Sequence, residues 1–544
     1  MKRFTLAQPF LFAAFPIVSL YASNIKLVHP LEVLAPLAVV MVATAVLFFI
    51  AAKLLRDVDA AALVISAFWL LMFTYGRVAA LLRGGGREPF VLLAWVLLFI
   101  IIVWGAVRWR GRLVNVAQVV SVVGVALVAM PLFTIGAGLL PRRAVKASVA
   151  RVRIEPTATA MPAPSPVVLA AAAAPLAAEL TPSATPSHTP IPSRTPVASA
   201  LGGDPDIYYI ILDGYARTDV LRDLYGYDNS EFLSWLAAKG FRVASGSRAN
   251  YCQTYLSFAS SLNMTYLDEV AAVAGVASDD RRLLQDMVRD SAVVRALRGR
   301  GYTYVALSTG YADAELQSAD LYLTAPWSLS QFESGLINTT PISPLISLQY
   351  DLHRQRLLYA FDHLADAARM EGPVFTFAHI AAPHPPFVFD EAGGPITPNR
   401  EFFLSDGSHY MVGEGSREEY VAGYAGQARY ITAKAQAAIE MILERSPRPP
   451  IIILQADHGP GSRLIWSSAE LTDLRERMSI LNAYYLPGGV DAAVYDTITP
   501  VNSFRLVLTS YFSADYPLLE DRSYFSTWDR PYDFIEVPSA GTGP

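Results

Sequence analysis

The composition of this 544-residue chain excludes an ordinary soluble enzyme. Only 17% of its residues are charged and 53% are hydrophobic, and its mean hydropathy is +0.32, so part of the chain is expected to lie in lipid. Residues 1–150 carry 14 Lys and Arg against 4 Asp and Glu, whereas residues 204–544 carry 26 against 42. An acidic C-terminal part is a poor match to a nucleic-acid-binding surface, and no nucleic-acid partner is expected. The single cysteine, Cys252, excludes an internal disulfide framework.

Five apolar runs in the first 140 residues are each about as long as the hydrocarbon core of a bilayer is thick. Lys2 and Arg3 precede the first run as in a signal peptide, but four more runs follow and no small-residue cleavage pattern does, which favours a true span. Basic residues between the runs give a modest bias towards a cytoplasmic N-terminus. The sequence therefore predicts a multi-pass cell-membrane protein whose C-terminal part is extracytoplasmic. The predicted spans are residues 4–22, 31–53, 60–82, 89–107 and 114–140.

Residues 146–203 differ from both flanking regions, because they are rich in Pro, Thr and Ala and lack periodic apolar faces. Such a composition cannot form a packed core and predicts a disordered, semi-extended linker. We therefore expect a transmembrane domain at residues 1–145 and a globular domain at residues 204–544.

The globular part shows the pattern of an α/β domain. Short runs of β-branched and aromatic residues predict buried strands, and helical or loop segments separate them, among them a helical pattern over residues 218–240. Strands that alternate with helices predict a mostly parallel sheet sandwiched by helices. The predicted strands are residues 207–212, 302–307, 374–380 and 451–454.

Polar residues that bear chemistry stand at or just beyond the ends of these strands. Ligands of open α/β sheets bind outside the carboxyl ends of the strands, so these side chains are expected to converge. They are Asp213, His379, His384, Asp457 and His458.

Thr254 is a further candidate residue of the predicted site. The residues after it, Tyr255, Phe258, Ala259 and Leu262, have helical spacing, so the pattern predicts that a helix begins at Thr254. A hydroxyl at a helix N-terminus faces unpaired N–H groups, which favour a bound anion and an ionised alkoxide.

Two carboxylates, an imidazole and a hydroxyl make a coherent site for one divalent metal ion, with Mn²⁺ as the first choice and Mg²⁺ or Zn²⁺ as alternatives. The metal would lower the pKa of the Thr254 hydroxyl and neutralise charge on a phosphoryl or sulfuryl oxygen. His384 and His379 are candidates to bind substrate oxygens, and His384 also to protonate the leaving group.

Taken singly, these residues also admit structural interpretations. Asp213 by itself is equally well explained as a helix cap, and Thr254 as an ordinary N-cap. His379 alone suits a core position. Asp457 and His458 are harder to explain structurally, because an Asp-His pair that ends a buried strand is expensive to bury without a partner.

The motifs ILDGY, NYCQTYLSFASSLNM, HPP and QADHG, in that order, resemble the sulfatase/alkaline-phosphatase superfamily. They are most similar to its membrane-anchored branch, which holds lipoteichoic-acid synthase and related phosphoglycerol or phosphoethanolamine transferases. The resemblance covers about residues 204–510 and extends to the layout of five spans, a linker and an exterior domain. It implies an alkaline-phosphatase-like fold and lipid-linked or cell-envelope substrates.

The resemblance also assigns roles to individual residues. It implies a threonine nucleophile at Thr254 on a divalent metal held by Asp213, Asp457 and His458. His384 matches a histidine on the substrate side, and His379 matches one that helps a second metal in some members.

The sequence departs from the family pattern in two ways, of which the first argues against sulfate-ester hydrolysis through a formylglycine. Sulfatases carry a Cys-x-Pro/Ala-x-Arg signature whose cysteine becomes formylglycine, whereas here Cys252 is followed by Gln-Thr-Tyr-Leu. Phosphoethanolamine transferases usually carry several disulfides, which one cysteine cannot supply.

The sequence thus predicts a membrane-anchored, metal-dependent phosphotransferase or phosphoesterase that acts on lipid-linked or cell-envelope phosphate esters through a threonine nucleophile. Its substrate partners would be membrane lipids or a lipid-linked envelope polymer. The alternatives are a sulfuric ester hydrolase of the same fold and a non-catalytic envelope protein that retains the fold. The complete set Asp213, Thr254, Asp457 and His458 argues against the last, because a drifting site is expected to lose a member.

Overall fold

A computed structural model describes most of the chain. The described residues are 2–81, 88–139, 197–311, 314–342, 346–398, 400–412 and 415–538. Most of the linker predicted at 146–203 lies outside these residues.

The N-terminal part is a bundle of five long apolar helices, each long and apolar enough to cross a membrane, in agreement with the five predicted spans. Helix α1 (Lys2–Ser23) packs against α2 (Leu31–Leu55), α3 (Val58–Leu81) and α5 (Val114–Leu139). Gln8 of α1 joins two of its neighbours, since its side chain donates to Ser66 (3.0 Å) and accepts from Ser121 (3.2 Å). The helices are α1 (Lys2–Ser23), α2 (Leu31–Leu55), α3 (Val58–Leu81), α4 (Glu88–Arg108) and α5 (Val114–Leu139).

The C-terminal part is an α/β domain, described from Val197 onwards. Its strands are β1 (Ile207–Leu212), β2 (Arg242–Val243), β3 (Thr303–Leu307), β4 (Leu321–Leu323), β5 (Val374–Ile380), β6 (Ile451–Gln455), β7 (Asn482–Tyr485), β8 (Tyr524–Phe525) and β9 (Ile535–Glu536). Its helices are α6 (Val197–Ala200), α7 (Thr218–Tyr225), α8 (Ser230–Ala238), α9 (Thr254–Ser261), α10 (Asp268–Ala274), α11 (Arg282–Arg289), α12 (Ala292–Arg298), α13 (Gln331–Asn338), α14 (Ile346–His363), α15 (Gly407–Val412), α16 (Arg417–Arg445), α17 (Leu474–Met478) and α18 (Pro500–Phe512).

Seven strands form the main sheet in the order β2-β7-β6-β1-β5-β3-β4. The five strands from β6 to β4 are parallel, and β7 and β2 add an antiparallel edge, which confirms the mostly parallel sheet. Strand β1 lies at the centre between β5 and β6.

Both faces of the sheet are covered, as the continuous apolar strands predict. All six residues of β1 are buried. Tyr208, Ile210 and Leu212 belong to a core cluster that contains residues of α16. Ile207, Tyr209 and Ile211 belong to a second cluster, which contains residues of α9 and α18. Successive residues of β1 therefore face helices on opposite sides of the sheet.

The helical pattern over residues 218–240 forms two helices instead of one. Helix α7 ends at Tyr225 and is capped by Gly226, whose backbone is left-handed with φ +59°, and α8 begins at Ser230. A glycine adopts this conformation without steric cost, so the apolar spacing continues while the helix does not.

Candidate metal centre and active site

The carboxyl ends of β1, β5 and β6 bring four of the predicted residues to one edge of the sheet. Asp213 directly follows β1, His379 is the penultimate residue of β5, and Asp457 and His458 begin two residues after β6 ends. Ile211 of β1 is in register with His379 on one side and with Gln455 on the other. The parallel pairing of three adjacent strands thus produces the predicted convergence.

Asp213, Asp457 and His458 form a buried cluster whose ligand atoms lie within 4.8 Å of one another. Nε2 of His458 is 3.6 Å from Oδ1 of Asp213 and 3.2 Å from Oδ2 of Asp457. In the described part of the chain, neither of these two carboxylate oxygens has a hydrogen-bond partner. Burying two carboxylates side by side without compensation is costly, so the donor set fits a divalent cation.

The hydrogen bonds of His458 define which nitrogen faces the cluster. Nδ1 lies 2.9 Å from the carbonyl oxygen of Gly459. A carbonyl only accepts, so Nδ1 carries the proton and Nε2 presents a lone pair to the carboxylates. Burial lowers the pKa of His458, with a further contribution from Arg477, although the nearby carboxylates oppose the shift. A neutral imidazole with an oriented lone pair is the form that binds metals.

Thr254 is the first residue of α9, which confirms the predicted helix start. Its side chain is buried, and its Oγ1 lies 3.1 Å from Nε2 of His458. Since Nε2 is the acceptor, the threonine hydroxyl donates. Ser257 lies one turn further along α9, where its hydroxyl is 2.8 Å from the carbonyl oxygen of Asp457. The helix is thereby tied to the loop that carries the predicted ligands.

His379 is fully buried and its Nε2–H donates to Oδ2 of Asp213 at 3.1 Å. The ring of Phe258 packs edge-on against it at 4.9 Å between centroids. Together, these contacts orient the Asp213 carboxylate. Burial alone would raise the pKa of Asp213, but His384, His379 and His458 outweigh it and lower the pKa well below its usual range. Among the described residues, His379 does not line the cavity at the site, whereas His384 does.

The loop after β5 holds His384 at the cavity. Its amide donates to the carbonyl of Asp213 at 3.1 Å, and its own carbonyl accepts from Gln427 of α16, also at 3.1 Å. Its Nδ1–H donates to the carbonyl of Pro385 at 2.6 Å, so Nε2 is the nitrogen left for other partners. Burial would lower the pKa of His384, but the Asp213 and Asp406 carboxylates raise it above the usual value.

A buried ion pair that sequence reasoning missed borders the same cavity. Nη1 of Arg477 donates to Oδ2 of Asp406 at 2.6 Å and to the carbonyl of Gly459 at 2.9 Å, and its Nε donates to the carbonyl of Cys252 at 2.9 Å. One guanidinium therefore joins the segment before Thr254 to the loop after His458. No sequence signal pointed to it, because Arg477 lies in the run LRERM, a charge pattern typical of a solvated helix.

The cavity beside Thr254 has a volume of about 140 Å³. A water molecule's share of liquid volume is roughly 30 Å³, so the cavity has room for several water molecules. One set of lining residues is polar or charged, including Thr254, His384, His458, Asp406 and Arg477, and another is aromatic, including Tyr255, Tyr311, Trp466 and Trp528.

Comparison with protein-family models and with curated proteins gives no match. Solved structures with a similar fold include phosphoethanolamine transferases and sulfatases, which belong to the superfamily that the motifs resemble.

Lipooligosaccharide phosphoethanolamine transferase A from Neisseria meningitidis, an integral membrane protein, is 12% identical over 92% of this chain and 95% of its own, with a TM-score of 0.37. The C-terminal periplasmic domain of EcEptC from Escherichia coli in complex with Zn is 10% identical over 62% of this chain and 93% of its own, with a TM-score of 0.39. A putative sulfatase from Bacteroides thetaiotaomicron is 12% identical over 61% of this chain and 75% of its own, with a TM-score of 0.38. These TM-scores are below 0.5, so the function is inferred from the site itself.

Proposed function

We propose that this protein is a membrane-anchored, metal-dependent phosphotransferase or phosphoesterase that uses Thr254 as its nucleophile. One observation carries the proposal. Two buried carboxylate oxygens without hydrogen-bond partners in the described residues, on Asp213 and Asp457, converge with the lone pair of His458, and the Thr254 hydroxyl contacts that same nitrogen. A purely structural role leaves this set of acceptors uncompensated.

Asp213, Asp457, His458 and the Thr254 hydroxyl would hold one divalent cation, with Mn²⁺ as the first choice and Mg²⁺ or Zn²⁺ as alternatives. When bound, the cation supplies positive charge that lowers the pKa of the threonine hydroxyl and offsets charge on the substrate oxygens.

The residues of the chain divide the remaining work. The Thr254 hydroxyl releases its proton to solvent, its Oγ1 attacks phosphorus, the bond from phosphorus to the leaving oxygen breaks, and a phosphothreonine forms. His384, with Nε2 available at the cavity, is placed to bind the ester oxygens and to protonate the leaving alcohol. Arg477 and Asp406 both line the cavity as an ion pair, and the guanidinium holds the segment before Thr254 against the loop after His458. His379 positions the Asp213 carboxylate.

The position of Cys252 argues against the sulfatase alternative. Its thiol is fully buried against the backbone of Ser526, with Sγ 3.4 Å from the carbonyl oxygen and 3.3 Å from the amide nitrogen. Residue 252 is absent from the cavity lining, to which Gln253, Thr254 and Tyr255 contribute. A nucleophile derived from Cys252 would therefore face away from the space in which the substrate is expected.

The anchoring helices suggest the substrate. An enzyme with five apolar helices gains nothing from them if its substrate diffuses freely, so we infer that lipid-linked or cell-envelope phosphate esters are processed outside the cell membrane. Release of the phosphothreonine to an alcohol gives a transferase, and release to water gives a phosphoesterase.

The test uses the purified full-length protein in detergent with a chromogenic phosphodiester, phosphomonoester and sulfate monoester, each with and without Mn²⁺. We expect metal-dependent hydrolysis of a phosphate ester and none of the sulfate ester. Exclusive turnover of the sulfate ester would establish the sulfatase alternative instead. Absence of turnover with every ester and metal would favour the non-catalytic alternative.

A further inference from the structure

A glycine inside a membrane helix makes room for the α/β domain. Gly76 lies within α3, and a Cβ built on it would stand 2.0 Å from the carbonyl oxygen of Asn338. Its amide donates to the carbonyl of Thr339 at 2.9 Å. Glycine in a helix interior is less favourable than alanine, so a close approach of another backbone is a physical reason for a glycine at this position. Here the approaching backbone is the C-terminal end of α13.

Helix α13 also buries apolar side chains in the membrane bundle. Phe332 and Leu336, four residues apart and hence on one face, are buried in the same apolar cluster as Trp69 and Phe73 of α3. The helix contacts α2 as well. An eight-residue helix of the α/β domain is thus packed on the membrane helices as a core element would be.

A second contact joins the two parts at the turn between α1 and α2. Lys26 forms an ion pair with Asp279, and the Gln285 side chain donates to the carbonyl of Leu27 at 2.6 Å. The two contacts together fix an orientation, which a single contact would leave free to pivot.

Both contacts adjoin the wall of the cavity. Gln331, the first residue of α13, lines the cavity, and the next residue, Phe332, packs on the membrane helices. On the other side, Arg281 is two residues from Asp279, and its guanidinium stacks on Trp528, a lining residue, at 4.3 Å from the ring centroid. Lining residues of the cavity therefore adjoin both points at which the α/β domain meets the bundle.

We propose that α13 is a docking helix. By packing on α3 at Gly76, it holds the cavity at the boundary of the bilayer. This inference rests on the proposed function. If the protein processes phosphate esters, turnover of an ester embedded in a membrane depends on the docking helix, whereas turnover of a small soluble ester does not. The docking helix selects one orientation of the α/β domain relative to the membrane helices.

The test compares two glycines of the membrane bundle. Gly76→Leu places a side chain against the end of α13, whereas Gly136→Leu in α5 is the matched control, because a Cβ at Gly136 meets nothing within 4 Å. Phe332→Ser with Leu336→Ser removes the same contact from the other side. This second variant keeps the test valid if Gly76→Leu fails to fold.

Docking is measured separately from activity. In a Cys252→Ala background, Lys26→Cys and Asp279→Cys are joined by a short bismaleimide, and a site-specific protease then cuts a site inserted between residues 146 and 203. Cross-linked halves migrate as one band and separated halves as two. Activity is measured on a soluble chromogenic phosphodiester and on a fluorescent-headgroup phospholipid in phosphatidylcholine vesicles.

We expect Gly76→Leu and the double serine variant to lower cross-linking at least threefold and vesicle turnover about tenfold, with soluble turnover within twofold of wild type. Gly136→Leu should match wild type in all three measurements. Unchanged cross-linking in both test variants would overturn the docking helix. Two results would overturn the role of the docking helix in substrate access. One is lost cross-linking with unchanged turnover of the vesicle substrate, and the other is an equal loss of turnover with the soluble and the vesicle substrate. A wild type inactive on both substrates would refute the proposed function and this role together.

Discussion

The hydroxyl of Thr254 lies 3.1 Å from Nε2 of His458, although 204 positions separate the two residues in sequence. One residue opens a helix and the other follows the end of a central strand. The contact puts a hydroxyl beside the nitrogen that is directed at two unpartnered carboxylate oxygens. The proposed nucleophile and the proposed metal site are thus within one hydrogen bond of each other.

Replacing Thr254 by alanine should lower phosphate-ester turnover by at least about 10³-fold, because the attacking oxygen is lost. Metal content should stay close to wild type, since three ligands remain. Intact-protein mass spectrometry of stopped reactions should find a phosphate adduct in the wild type and none in the variant. Thr254→Ser, which keeps the hydroxyl, is the control and should retain part of the activity. Near-wild-type turnover by Thr254→Ala would rule out this nucleophile.

Replacing Asp457 by asparagine removes one negative charge from the proposed metal site while the shape of the side chain is kept. Metal affinity should fall by more than the 10- to 100-fold typical of outer-shell changes. Elemental analysis of the purified protein measures the metal, and circular dichroism checks the fold. Asp496→Asn is the matched control, because that side chain is 60% exposed and pairs with Arg242. Equal metal content in both variants would exclude Asp457 as a ligand.

Replacing Arg477 by methionine should destabilise the protein by about 3–5 kcal/mol, since Asp406 is left as a buried charge without its partner. Thermal unfolding measures the change. Adding Asp406→Asn should recover part of the loss, because no unpaired charge then remains. A double variant no more stable than Arg477→Met alone would show that the carbonyls of Cys252 and Gly459, not Asp406, are the contacts that matter.

Replacing Cys252 by alanine should leave phosphate-ester turnover within about twofold of wild type and cost about 1 kcal/mol of stability, the typical effect of a buried truncation this small. The thiol contacts only backbone of Ser526 among its described hydrogen-bond partners. Peptide mass spectrometry of the wild type should find an unmodified cysteine. Formylglycine at position 252, or loss of all turnover in the variant, would favour the sulfatase alternative.

Protease added to intact cells should cut within residues 146–203 and release a fragment of about the size of residues 204–544. We expect this because five apolar helices follow an N-terminus that the sequence predicts to be cytoplasmic. Immunoblotting of the supernatant detects the fragment, and an accessible protein of the same membrane is the control. Complete protection of the chain while that control is digested would place the α/β domain on the cytoplasmic side.

Much of this architecture was predictable because it follows from local patterns of apolar and polar residues in the sequence. The five apolar helices follow from run length alone, and the central strands follow from runs such as Ile207–Leu212. Asp213 and Asp457 were predictable as neighbours because parallel strands end at the same edge of a sheet. Thr254 was predictable as a helix start from the spacing of the apolar residues after it.

Contacts between segments that lack a periodic pattern were decided only by the tertiary structure. Asp406 and Arg477 lie in a loop and a five-residue helix, 71 positions apart, and their local charge patterns resemble those of solvated surfaces. In the sequence, Gly76 is one small residue among others in an apolar helix. Only the structure shows that the end of α13 packs against it. Periodicity reports which face of one element is buried, whereas the pairing of two charges or two backbones depends on the path of every loop between them. The sequence by itself therefore determined the spans, the central strands and the candidate ligands, and the tertiary structure determined what surrounds them.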